Sequence, residues 1–263
     1  MQIPKTLTVI SPHLDDAVFS CGNLIAACPT SLVITVFAGA PPDDMPAPDW
    51  DRAAGFVRAS EAVHARRQED ARALAILGAE PVWLDFLDSQ YGKRYGAVDI
   101  AVRLGRLLAM QRHGAIVAPL GLFHSDHVLV NAACMLVREA VHAGQTGPVT
   151  APVTAPDTGP DAASATPPAN VQWLFYEDAI YRRMPGMIQS RMMAWWQAGL
   201  LAAPVHLPLA AYGTQKARAV EAYESQLPLF NAEQLADLGG AERYWALGPF
   251  GPHAHQVGTV SRT

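Results

Sequence analysis

The feature that most constrains this chain is an alternation of short, β-branched apolar runs with longer stretches of helical spacing. "TLTVIS" (residues 6–11), "SLVITVFAGA" (31–40), "PVWLDFLD" (81–88) and "GAIVAPL" (114–120) read as strands. Between them the spacing predicts a helix from Asp15 or Asp16 to about residue 28. It also predicts mostly helix over 50–77, stopped by Gly78, then a helix over 97–112 and one over 125–143. A strand–helix–strand rhythm of this kind folds as right-handed βαβ units. The expected fold is therefore α/β: a Rossmann-like, mainly parallel β-sheet with helices on both faces, one domain over residues 1–263. A further strand (171–181), helical patterns (186–199, 213–226, 231–240) and a loop-like tail from Gly248 complete the pattern. Residues 144–170, "GQTGPVTAPVTAPDTGPDAASATPPAN", lack any large apolar anchor. Such a stretch cannot bury enough surface to order itself, so a disordered surface insertion is expected there.

Half of the residues are hydrophobic, enough for a sizeable core. Net charge is −5, and no basic cluster is longer than Arg66-Arg67 or Arg182-Arg183. Nucleic-acid binding through a positive surface is therefore not expected. No run is long enough to span a membrane, and the N-terminus has no secretory h-region. Three scattered cysteines, Cys21, Cys28 and Cys134, suit a reducing, cytoplasmic setting better than a disulfide framework.

Polar residues concentrate just past two of the strands. "VISPHLDDAVFSCG" places His13, Asp15 and Asp16 after the first, and "APLGLFHSDHVLV" places His124, Asp126 and His127 after the fourth. In open α/β sheets ligands bind beyond the carboxyl ends of the strands, so neighbouring first and fourth strands would make these clusters face each other. Imidazole nitrogens with one carboxylate oxygen form an open zinc site, with water in the fourth position. His13 and Asp16, at i and i+3, can share one face of a turn, and His127 could complete the set. Asp15 is then free as a base for the metal's water, and His124 as an acid or oxyanion partner. Taken singly, Asp-Asp at a helix start is a cap and His-x-x-His a surface pair. Two such clusters at two strand ends favour the site. His253 and His255, in the tail, read as solvated.

"SPHLDDAVFSCG" and "HSDH" resemble the two signature motifs of the LmbE-like/PIG-L deacetylases, zinc enzymes that remove N-acyl groups from amino sugars and their conjugates. "WDRAAGFVRASEAVHARRQEDARALAILGAEPVWLDFLD" (50–88), "YEDAIY" (176–181) and "AYESQ" (222–226) are similar to further stretches of that family. The resemblance implies one Zn²⁺ per chain on His13, Asp16 and His127, with Asp15 as general base. It implies His124 as oxyanion stabiliser or acid, Asp126 behind the ligands, and Arg66 and Asp88 as substrate contacts. Arg67 is the alternative register for Arg66. The implied partner is a small N-acylated amino sugar or glycoconjugate. Leu14 stands where many members have Pro, and Leu122 where some carry a Tyr that assists the oxyanion.

Two other readings compete. A metal-dependent phosphoesterase would use more bridging carboxylates and Mg²⁺ or two metals. A non-catalytic Rossmann-like binder would carry Gly-x-Gly-x-x-Gly in the first βα turn, and only Gly22 lies near it. Substrate choice in such folds lives in loops, here 41–50, 89–96, 144–170 and the last third. There "RMMAWWQAGL" (191–200) and "ERYW" (242–245) are candidates for an acyl pocket or for core.

Overall fold

The computed structural model describes residues 1–110, 114–143 and 171–249. The expected insertion at 144–170 lies outside the described residues, as do His253 and His255. β1 (Thr6–Ser11), β2 (Thr30–Thr35), β3 (Ala79–Trp83), β4 (Ala115–Pro119) and β5 (Gln172–Tyr176) are parallel strands of a seven-stranded sheet. β6 (Leu200–Val205) and β7 (Tyr244–Pro249) add antiparallel partners, giving the order β3-β2-β1-β4-β5-β7-β6. The sheet is therefore mixed at one edge. The expected loop-like tail from Gly248 needs correction, because Gly248 and Pro249 pair with Leu201 and Leu200 in that edge.

Helices fill both faces, and strand residues alternate between them as a pleat of period two requires. Val9, Val117 and Leu174 point into one apolar cluster with residues of α1 (Asp16–Ala27), α3 (Ala59–Leu77) and α7 (Gly213–Val220). Ile10, Ile116 and Phe175 point into the other, with residues of α4 (Ala97–Ala109), α5 (Ser125–His142) and α6 (Met187–Gln197). The helical stretch expected over 50–77 is two helices, α2 (Asp49–Ala53) and α3, separated at Gly55, whose φ is +93°. Gly78 ends α3 in the left-handed conformation, the usual C-terminal stop. α8 (Ala232–Leu238) follows α7. Trp195 and Tyr244, from the two stretches considered for an acyl pocket, are buried core residues.

The strand order also fixes where a ligand can enter. From β1 the chain winds outward to β2 and β3, then returns to place β4 on the other side of β1. The crevice between the carboxyl ends of β1 and β4 is thus the topological switch point, where such sheets bind ligands.

Candidate active site

His13, Asp15 and Asp16 occupy the turn from β1 into α1. The Ser11 side chain knits this turn, donating to the His13 carbonyl (2.7 Å) and accepting from Ala17 N–H (2.9 Å). Asp15 stands at the N-cap position but makes no side-chain cap bond, and its φ is +155°. Ser11 thus caps the helix start in place of Asp15, while Asp16 Oδ2 accepts from His13 N–H (2.9 Å) within the turn, and both aspartates line the crevice. Asp16 is buried, and its Oδ2 lies 3.2 Å from His13 Nδ1 and 3.1 Å from His127 Nε2.

The outer nitrogen of each imidazole also meets a carboxylate. His13 Nε2 is 3.1 Å from Asp126 Oδ2, and His127 Nδ1 is 2.6 Å from Asp178 Oδ1. Since a carboxylate only accepts, Asp126 and Asp178 each hold a proton on an outer nitrogen, and the inner pair, which also faces a carboxylate, carries protons that a cation would displace. This is the arrangement that orients histidines as metal ligands. His13, Asp16 and His127 thus form a donor set that fits a divalent cation. Among the described residues, the groups whose ligand atoms all lie within 4.8 Å of one another are instead His13, His124 and His127, and His13, Asp88 and Asp126. His124 is suited to donate instead. Its Nδ1 accepts the Asp126 backbone N–H (3.2 Å), so in the neutral ring Nε2 carries the proton.

Electrostatics separate these groups. Burial, reinforced by the Asp16 charge, raises the Asp15 carboxyl well above its ordinary range. Burial acts on Asp16 too, but the charge and hydrogen bond of His127 and those of His13 outweigh it and hold Asp16 ionised. On His127, burial is outweighed by the Asp16 charge and the bonds to Asp16 and Asp178, which lift it to about 9. Surroundings negative enough to hold that proton suit a cation equally. His124 is pushed down by burial and by His13 and His127, so it stays neutral near pH 7. Asp126 falls to about 2, because the bond to His13 and the His13 charge exceed the burial cost.

All of these except Asp126 line one cavity of about 430 Å³. Arg66 and Asp88 line it as well, whereas Arg67 turns away, donating to the Ala38 carbonyl (2.8 Å) and covering Trp83. Arg66 is buried and ion-paired with buried Asp51, which also accepts from Tyr91 OH (2.9 Å). Its Nε has no partner. Asp88 caps its own turn through Gln90 N–H (2.9 Å) and lies 3.9 Å from His13.

Two residues escaped the sequence reading. Asp178, just past β5, is almost fully buried and also accepts from the backbone N–H groups of Gly121 and Leu122 (2.9 and 3.0 Å). Tyr181 packs its ring edge-on to His127, with centroids 5.2 Å apart. An acid directly after a central strand, on the rim where the histidines sit, was the available signal for Asp178.

A doubly wound sheet with a histidine–carboxylate cluster at its switch point places this chain among α/β proteins that bind ligands beyond the strand ends. A family model described as PIG-L, GlcNAc-PI de-N-acetylase, matches residues 8–138, and over that stretch the chain is similar to this LmbE-like family of N-deacetylases. A solved deacetylase triple mutant of the teicoplanin biosynthetic pathway is 26% identical, with 93% of this chain and 98% of that one covered at a TM-score of 0.67. A deacetylase–teicoplanin complex is 25% identical, with coverage of 95% and 99% and a TM-score of 0.63. GalB, the 4-carboxy-2-hydroxymuconate hydratase from Pseudomonas putida, has the same fold at 17% identity, with coverage of 92% and 95% and a TM-score of 0.56. Fold alone therefore leaves the reaction open, and the site must decide it. No curated protein matches the chain.

Proposed function

We propose that the chain is a zinc-dependent hydrolase that removes an N-acyl group, N-acetyl foremost, from an amino sugar or its glycoconjugate. The observation that carries this reading is the convergence of His13 Nδ1 and His127 Nε2 on Asp16 Oδ2, with the separate Asp15 carboxyl lining the same cavity. Two imidazoles and one carboxylate are the protein ligands of an open zinc site. Zinc held by His13, Asp16 and His127 would supply Lewis-acid polarisation and bring the pKa of water down to about 7.

The remaining residues do the proton and charge work. Asp15 orients the attacking water and takes its proton. The water oxygen bonds to the acyl carbon, the C–N bond breaks, and Asp15 returns the proton to the leaving amine. His124 donates from Nε2–H to the carbonyl oxygen as negative charge builds there. Asp126 and Asp178 hold the rings of His13 and His127 in orientation. The unpartnered Arg66 Nε is a donor for a sugar oxygen, and Asp88 is an acceptor for a sugar hydroxyl.

The test is a panel of N-acylated glucosamine derivatives, including glycolipid, pseudo-disaccharide and glycopeptide forms, scored for free amine alongside metal content. Amine release, about one zinc per chain and reversible silencing by a chelator are expected. Failure to release amine from any member, or full activity after the metal is stripped, would overturn the reading.

A further inference from the structure

Three non-glycine positions among the described residues have positive φ: Asp15, Phe123 (58°) and Ile180 (62°). All three line the cavity that holds the histidine–carboxylate centre. Asp15 is explained by its place in the cluster; the other two are not. A bulky aromatic and a β-branched residue both meet steric resistance in this region. Burial does not recover it, since Phe123 is 57% exposed. Neighbours nevertheless hold both residues firmly. Asp237 accepts from Ile180 N–H (3.1 Å) while pairing with Arg182 and Arg183, and the Phe123 ring lies 5.4 Å from that of Tyr181.

The product is a ridge of Phe123, Ile180, Tyr181 and Gln234. Beyond it lies a second cavity of about 410 Å³, whose further lining includes Arg183, Met184, Pro185 and Glu233. All four ridge residues line both cavities, so these are two bays of one cleft. Each has the size of a small-ligand pocket (roughly 300–1,000 Å³).

We propose that the second bay is a subsite for an aromatic aglycone carried by the amino-sugar substrate; this rests on the deacetylase reading. Phe123 and Tyr181, whose rings lie 5.4 Å apart, line the bay with Met184 and Pro185 and give it the aromatic, polarisable surface that a planar group favours. The lining also carries Arg183, Asn231, Glu233 and Asp237, polar groups that suit polar substituents on the edge of such a group better than an alkyl tail. Arg183 is paired with Asp237 (2.8 Å), and Arg66 with Asp51, so neither stands ready as a phosphate clamp.

The experiment compares methyl, octyl and 4-methylumbelliferyl N-acetyl-β-glucosaminides on the metal-loaded protein, reading kcat/KM from free amine. The aryl glycoside should exceed the methyl by about tenfold, the scale of an aromatic contact, and the octyl should not. Met184→Trp, which fills the bay, and Phe123→Ala, which lowers the ridge, should each bring the aryl-to-methyl ratio to about one. An octyl advantage equal to the aryl, no aryl advantage, or an aryl advantage that survives Met184→Trp would overturn the subsite while leaving deacetylation standing. If none of the three glucosaminides is hydrolysed, the wider panel decides the deacetylase reading, and equilibrium binding of the aryl glycoside decides the bay. Weakening of about tenfold by Met184→Trp supports it, and unchanged binding overturns it.

Discussion

The cleft has two walls of different origin. One is built at the ends of β1 and β4, where short motifs place His13, Asp15, Asp16, His124 and His127 within a few residues of a strand. The other comes from the chain after β5, where Tyr181, Phe230 and Gln234 reach the cleft from loops and from α8, and Asp178 is buried behind His127. The first wall carries ionisable groups in close mutual contact. The second offers mainly aromatic and amide surface, with Asp178 its one buried charge against a histidine. The contrast teaches that chemistry here is encoded by local spacing, and recognition by long-range packing.

The largest expected effect breaks the first wall into its two carboxylates. Asp15→Asn should keep its metal and its substrate affinity but lose turnover by roughly 10²–10⁴-fold, the usual worth of a general base, or ~3–5 kcal/mol at the barrier. Asp16→Asn should lose metal instead and regain part of its activity with added Zn²⁺. Metal analysis beside kcat and KM distinguishes the two variants. The reverse pattern, with Asp15→Asn rescued by zinc and Asp16→Asn fully loaded yet inactive, would exchange the assignments.

How much of this was legible follows the same division. The βαβ rhythm and the switch-point crevice were readable because strands buried on both faces announce themselves as β-branched runs. The clusters were readable because each lies within four positions in sequence. Arg66 was separated from Arg67 only by the structure: adjacent helical residues point about 100° apart, and one faces Asp51 while the other faces Trp83. β6 and β7 were missed because "LLAAPV", the edge strand, and "YWALGP", beside it, are short segments containing Pro or Gly, with partly exposed patterns that resemble loop. Asp178 and the Phe123–Tyr181 ridge depend on partners some fifty positions away, and no local pattern encodes that. The similarity of "YEDAIY" to the family marked the stretch without assigning it a role.

A second prediction concerns how the later chain is fastened to the earlier. Asp70 on α3 accepts from Trp83 Nε1 and from Tyr223 OH, both at 2.8 Å. Burial raises its carboxyl to about 6, against the opposing pull of those two hydrogen bonds. The folded chain thus keeps a proton that the unfolded chain releases near pH 4. Stability from this group is complete below that pH and is lost as pH rises through about 6, a fall of ~3 kcal/mol for a shift of this size. Denaturant unfolding of the metal-free protein across pH 4–7 measures it. Asp70→Asn should be less stable at low pH, and its stability curve should lack this downward slope. Wild-type and variant curves that run parallel would remove Asp70 as the titrating group.

The smallest effect tests whether the two walls are as separate as their origins suggest. Each inner histidine has one carboxylate behind it, Asp126 from the first wall on His13 and Asp178 from the second on His127. If both act by orienting a ligand, each Asn variant should weaken metal binding by about 10–100-fold, the usual cost of losing such a partner. Competition with a chelator of known affinity measures this without reference to turnover. Asp178→Asn has an added consequence, because one of its oxygens accepts from Gly121 and Leu122 N–H. An amide cannot accept both these bonds and the His127 proton as the carboxylate does. Unfolding of the metal-free variant, measured in parallel, therefore separates lost stability from lost orientation. Weakened metal binding in Asp126→Asn alone would confine the chemistry to the first wall and leave Asp178 as a clamp on the loop after β4. Equal weakening in both would mean that the later part of the chain reaches through one buried carboxylate into the centre itself, so that the wall serving recognition also sets the metal.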